Sequence, residues 1–278
     1  MGEKEEEKQT EAPEGRTKLR FRYHMQFDYE TDVEKYFFTI KAIPCSDARQ
    51  AVTALSVQLE PPFLYAENTD SFGNRLLYGS SQKPHRCFTY EISGEVEIGQ
   101  VLFEETADEA EVLKYLHPHG LNMPGSALKR YFASISGGLR EDPYGNAAYL
   151  MRCLHQDFEY ASGVTTVRTG AEEAWGIGKG VCQDYAHIYI SLCQMAGIPA
   201  RYTAGLIRGE GESHAWVEVC CGNKWIGMDP TNNIPVARAH IKFGHGRDAD
   251  DCQLNRGILY GGGMQSKQIY VSVEEENI

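Results

Sequence analysis

The stretch Gly178-Lys179-Gly180-Val181-Cys182-Gln183-Asp184-Tyr185-Ala186-His187 opens the most informative part of the chain. Its glycines predict a tight turn, and the residues after it are amphipathic. Ala186, Tyr189, Ile190 and Cys193 recur at helical spacing, with Gly197 as a terminating residue and Pro199 just past it. Cys182 therefore falls at a helix amino terminus. There the unpaired N–H groups and the positive end of the dipole favour thiolate over thiol, and one N–H can face a developing oxyanion. A cysteine at a turn is more commonly a small buried side chain, so the neighbouring segments decide between the two readings.

Ser213-His214-Ala215-Trp216-Val217-Glu218-Val219 alternates as a strand, with His214, Trp216 and Glu218 on one face. Lys224-Trp225-Ile226-Gly227-Met228-Asp229-Pro230-Thr231 follows after the turn Cys221-Gly222-Asn223. The two runs predict an antiparallel hairpin whose open end holds His214 and Asp229, within reach of one hydrogen bond. A thiolate at a helix start, an imidazole and an orienting carboxylate are the parts of a cysteine nucleophile system. His187 lies five residues beyond Cys182, about 500° around the helix, so it points elsewhere and His214 is preferred as the base.

Outward from this centre, the chain divides by period. From Thr17 the text alternates as strands do: Leu19, Phe21 and Tyr23 against Arg20, Arg22 and His24, then Tyr36–Ile40, Thr53–Leu59, Arg75–Tyr78, Cys87–Ile92 and Val96–Phe103. Turn signals at Glu60-Pro61-Pro62, Ser71-Phe72-Gly73-Asn74 and Lys83-Pro84 separate them. About seven strands predict an antiparallel β-sandwich over residues 17–103. After Glu104 the period lengthens, with apolar positions at Ala110, Leu113 and Leu116, at Leu128, Tyr131, Phe132 and Ile135, and at Ala148, Met151, Leu154 and Phe158. Strand patterns return at Arg201–Ile207, His214–Val219, Lys224–Met228 and Gln268–Val273, so residues 104–278 read as an α+β catalytic domain.

The chain has 278 residues, 42% apolar and 24% charged, with 27 basic and 39 acidic side chains for a formal charge of −12. Residues 1–16 read as a disordered acidic tail: the first 14 carry net −4, and Glu274-Glu275-Glu276 add −3, so most of the acidity sits at the ends. Nucleic acid and a membrane are not expected partners. A charged start, Met1-Gly2-Glu3-Lys4-Glu5-Glu6-Glu7-Lys8, and eight sparse cysteines without a C-x-x-C pair predict a cytoplasmic, reduced protein. His117 with His119, Cys220 with Cys221, and His240 with His245 lack the spacing of a structural zinc site. Asp248, Asp250 and Asp251 lack the rest of a calcium loop and are expected to cap or pair with Arg247 and Arg256. No metal or cofactor is expected.

Gly180-Val181-Cys182-Gln183-Asp184, Ser213–Val219 and Trp225–Thr231 resemble, in order, the three motifs of the transglutaminase-like superfamily. Leu64-Tyr65 and Asp70-Ser71-Phe72-Gly73-Asn74 resemble the β-rich amino-terminal domain of its bacterial cysteine-protease-like members, and Gly246–Asp251, Arg256-Gly257 and Gly261-Gly262-Gly263 their closing segment. The resemblance implies a papain-like α+β core in which Cys182 is the nucleophile, His214 the general base and later acid, and Asp229 the group that orients the imidazole. It implies hydrolysis of an amide or peptide bond through a thioester, on a peptide, protein or small amide. The alternatives are transfer of the acyl group to an amine, or a non-catalytic relative that binds a peptide or partner. For the second oxyanion donor the resemblance points to Tyr160, which equally reads as a tyrosine closing a helix on the core side. Gln183 adjoins the nucleophile but has a helical direction of its own. Trp216 shares the His214 face and is placed to wall the cleft, whereas Trp225 reads as packing.

Overall fold

A computed structural model describes residues 15–99 and 103–276. Most of the acidic tail expected over residues 1–16, and part of the strand expected over residues 96–103, lie outside the described residues. Five strands come first: β1 (Thr17–Ile40), β2 (Gln50–Glu60), β3 (Tyr65–Thr69), β4 (Arg75–Ser81) and β5 (His85–Ile98). Then follow β6 (Phe103–Thr106), the helices α1 (Glu109–Val112), α2 (Ser126–Ile135) and α3 (Pro143–Asp157), β7 (Glu159–Tyr160), α4 (Ala171–Ile177), β8 (Lys179–Gly180) and α5 (Cys182–Met195). The chain ends in β9 (Ala200–Ile207), β10 (Gly209–Gly211), β11 (His214–Cys221), β12 (Lys224–Asp229), β13 (Ile234–Pro235), β14 (His240–Gly246), β15 (Asn255–Gly261) and β16 (Gln265–Glu275).

The alternation of Leu19, Phe21, Tyr23, Met25 and Phe27 puts these side chains into the first core and leaves Arg20 and Arg22 outside. Each such burial stabilises by about 1.5–3 kcal/mol. Two separate strands were expected over Leu19–Ile40, but β1 is continuous. Its first half pairs with β5 and β16, and its second half with β4 and β15. The expected sandwich is therefore one curled antiparallel sheet of eight strands, because β1 runs from one layer into the other. Residues 104–278 also do not stand apart from it: their last two strands, β15 and β16, complete the first sheet.

The second sheet runs β13-β12-β11-β9-β14, with β6 on β12. One face packs on the helices: Ala215, Val217 and Val219 of β11 share a core with Leu150 and Leu154 of α3 and with Ile188 and Leu192 of α5. The other face meets the first sheet, where Phe243 lies against Phe21 and Tyr23 at 6.5 and 6.0 Å between rings. Two amide side chains bind the backbone of β14. Gln50 exchanges hydrogen bonds of 2.7 and 2.8 Å with Lys242, and Asn74 exchanges bonds of 2.7 and 2.8 Å with His245.

The helix expected through Ala110, Leu113 and Leu116 is a single α turn followed by a 3-10 turn at Leu113–Tyr115. Pro118 disfavours helix at the residue before it and ends the run. Among the described residues no helix is long and apolar enough to cross a membrane.

Candidate active site

Cys182 is set by a short, crowded turn. α4 closes at Gly178, whose φ of 79° is the left-handed cap a glycine takes without strain. β8 then pairs with β7, Gly180 beside Tyr160, and α5 begins at Cys182. Asp184 reaches back to receive the Val181 N–H at 2.8 Å and the Thr165 hydroxyl at 2.7 Å on the same oxygen, half of a capping box. A Cβ on residue 180 would stand 2.3 Å from that oxygen, so only glycine fits there. Cys182 itself is half-buried at the head of the helix.

His214 and Asp229 arrive on the hairpin. Gly222 and Asn223, with φ of 59° and 60°, form the two-residue turn with positive φ that matches strand twist. The register it sets, Val217 opposite Met228, brings the far ends together, and His214 Nε2 donates to Asp229 Oδ2 at 2.8 Å. The Cys182 sulphur lies close enough to the imidazole to act on it electrostatically. With Nε2 committed to Asp229, Nδ1 is the nitrogen left for the sulphur. Burial opposes a charge on His214, but the bond to Asp229 and the nearby Cys182 outweigh it and raise its pKa to about 10.

Asp229 is fully buried, which by itself would favour its neutral form, yet its carboxyl is held well below the usual range by its donors. Oδ1 accepts the Thr231 and Asn232 N–H groups at 3.1 and 3.2 Å. Oδ2 accepts His214, the Asn232 amide at 2.8 Å, and Nε2 of His240 at 3.1 Å. Neither Asn232 nor His240 is signalled by sequence as part of this group. Asn232 follows Asp229 closely enough for an Asx-type turn to have suggested it. His240 comes from β14, which sequence patterning missed, because its alternation sets buried polar His240 and Lys242 against apolar Ile241 and Phe243.

The cleft beside Cys182 has a volume of about 460 Å³ and is bounded by both sheets; Tyr23, Gln183, Tyr202, Glu212, Asp250 and Lys267 are among its lining. Tyr160 is 58% exposed and close enough to Cys182 to feel its charge. Gln183 borders the cleft but donates to the Val167 carbonyl at 3.2 Å. Trp216 does not wall the cleft: it is fully buried, its ring edge-on to His240 at 5.4 Å and 6.2 Å from that of His214. Trp225 packs under the Arg201 guanidinium at 4.2 Å. His187 is fully buried and accepts the Ala249 N–H at 3.2 Å; desolvation lowers its pKa to about 3, so it stays neutral.

His214, Asp229 and His240 bring three ligand-type atoms within 4.8 Å of one another. Asp229 Oδ2 already accepts three N–H donors, one of them an amide that cannot release its proton to a cation, so the donor set is that of a hydrogen-bonded cluster. His245 does not join it and lies instead against Arg201, 3.2 Å away. In the acidic run, Asp251 pairs with Arg247 at 2.8 Å as expected, while Arg256 donates to Gln253.

A thiol at a helix start, near an imidazole that a carboxylate on the adjoining strand holds, in a helix-and-sheet core behind a curled sheet, defines a transglutaminase-like protein. The chain belongs to the transglutaminase-like superfamily: residues 132–230, which contain Cys182, His214 and Asp229, match its core, and residues 19–97 match the bacterial transglutaminase-like N-terminal region. An uncharacterized protein of Mycobacterium leprae is 25% identical over 92% of this chain and 98% of its own. One of Mycobacterium bovis is 26% identical over 94% and 93%. The crystal structure of a "Putative Cysteine Protease" from Cytophaga hutchinsonii superposes with a TM-score of 0.80 at 21% identity, covering 95% of this chain and 92% of that one, and so shares its fold. At the level of the family, the match supports a cysteine-dependent enzyme.

Proposed function

We propose that the protein is a cysteine-dependent amide or peptide hydrolase that works through a thioester. The observation that carries this reading is the convergence on His214, which Asp229 bonds at 2.8 Å and on which the Cys182 sulphur, at the head of α5, acts electrostatically. The reactive form is the one in which the Cys182 proton has passed to His214 Nδ1. The thiolate attacks the amide carbonyl carbon, forming a C–S bond and an oxyanion, with the N–H groups at the start of α5 as donors. The C–N bond then breaks, and the amine leaves with the proton of His214 Nδ1. Neutral His214 next takes a proton from water as its oxygen attacks the thioester; the C–S bond breaks, the carboxylic acid departs, and the thiolate–imidazolium pair is restored. Asp229 keeps Nε2 protonated throughout.

The Tyr160 hydroxyl is the second donor in this reading, supported by its exposure next to the thiol. Hydrolysis is preferred over transfer to an amine because the cleft is open and rimmed by exposed Glu212, Asp250 and Lys267, so water reaches the thioester. The test is intact-mass spectrometry of the full chain mixed with a library of acylated amides and peptides. An acyl mass on the wild type, absent from Cys182→Ala, together with released amine and acid, is the expected result. Neither adduct nor turnover across the library would refute the proposal.

A further inference from the structure

We propose that His240 is a positioning residue of this site, fixing the Asp229 carboxylate in the orientation in which it supports His214. The inference rests on the reading of Cys182, His214 and Asp229 given above. His240 opens β14, the edge strand that β9 separates from the hairpin carrying His214 and Asp229, yet its Nε2 lies 3.1 Å from the same oxygen that His214 uses. The other contacts of Asp229 come from its own hairpin end: two backbone N–H groups and the Asn232 amide. His240 is thus the one described donor that ties the carboxylate to a distant element. Trp216 packs edge-on against it, in the same face of β11 as His214.

The protonation state follows from geometry. Asp229 as a carboxylate only accepts, so His240 Nε2 carries the hydrogen. Its Nδ1 is buried with no hydrogen-bond partner among the described residues. A bare nitrogen tolerates that environment better than an N–H would, since a buried orphan donor costs its full desolvation. The charged and titratable groups that face His240 are Asp229, His214 and Arg49, the last donating to the His240 carbonyl at 3.0 Å. A second proton would therefore also set one cation beside two others. His240 remains a neutral donor: it fixes the carboxylate yet leaves its single negative charge to the His214 imidazolium.

Without this donor Asp229 turns more freely and holds the imidazolium less firmly, so the reactive pair forms only at higher pH. The readout is site-resolved iodoacetamide modification of Cys182 across pH, in the full chain, which needs no knowledge of the substrate. His240→Leu is expected to slow modification about tenfold near neutrality, the worth of one hydrogen bond to a charged group, and to move the acid limb of the profile upward. His240→Gln, whose amide returns a donor near the Nε2 position, is expected to recover most of the rate. A profile for folded His240→Leu that superposes on the wild type would overturn the proposal. A wild type in which Cys182 reacts no faster than in His214→Ala would instead overturn the underlying reading. Should His240→Leu not fold, nitrogen-edited NMR of the wild-type histidines decides. A His240 ring protonated on Nε2 alone from about pH 5.5 to 8.5 is expected, and a proton on Nδ1 would overturn the proposal.

Discussion

Replacing Asp229 by Asn is a sharper perturbation here than a simple loss of charge. The carboxylate receives five donors, two on Oδ1 and three on Oδ2. An amide has one oxygen and one NH2, so whichever way it turns, its NH2 meets at least two N–H groups. The less costly orientation sets nitrogen against the Thr231 and Asn232 backbone and keeps oxygen toward His214. It costs the backbone donors of half-buried Thr231 and exposed Asn232 their acceptor, at about 0.5–1.5 kcal/mol each, or about 1–3 kcal/mol of stability. It also removes the charge that raises His214 to about 10, while the burial that lowers it stays. A group whose pKa is raised on folding contributes its full stability below its ordinary value of 6.5 and loses it as pH climbs to about 10. Wild-type stability should accordingly decline from about pH 7 to about pH 10 by the His214 contribution, and Asp229→Asn should be less stable yet lack that decline. Urea denaturation followed by tryptophan fluorescence across pH measures both. A loss below about 1 kcal/mol with the wild-type pH dependence intact would refute the five-donor account.

Other consequences are equally concrete. Glu218 is fully buried between Arg201 at 2.6 Å and Lys242 at 2.6 Å, themselves buried, so Glu218→Gln should cost about 3–5 kcal/mol in denaturant titration. Gly180→Ala must push against Asp184, which Val181 and Thr165 pin, and should lower stability by about 1–3 kcal/mol while slowing Cys182 modification. Tyr160→Phe touches an exposed hydroxyl; unfolding should change by less than about 0.5 kcal/mol, and thioester formation should slow by about 10²-fold. An unchanged acylation rate would remove Tyr160 from the oxyanion site.

The parts of the site that lie close in sequence were legible, and the long-range parts were not. A turn followed by helical spacing located Cys182, and an alternating run, a Gly-Asn turn and a second run located His214 and Asp229 at one hairpin end. Local rules sufficed because a hairpin register is fixed by its own turn. His240 needed the order of strands in the second sheet, which depends on β14 pairing with β9, a contact no local pattern records. The same limit explains the first sheet: alternation identified β1, β2, β4, β5 and β16, but not β3, β10 or β15, nor that β15 and β16, more than 200 residues beyond β1, return to pair with it. Trp216 was assigned its correct face of β11, yet that face is covered by the first sheet, so the side chain backs the histidines and does not line the cleft.

The central claim is that His214 activates Cys182, and relative alkylation rates within one molecule test it most directly. Cys45, also half-buried and hydrogen-bonded to Asp47, Gln50 and the Lys242 backbone, serves as the internal reference. Brief iodoacetamide treatment at neutral pH, read by peptide mass spectrometry, should modify Cys182 at least about tenfold faster than Cys45, and His214→Ala should abolish the difference. Equal rates for the two thiols in the wild type, or an advantage for Cys182 that survives loss of His214, would contradict the account.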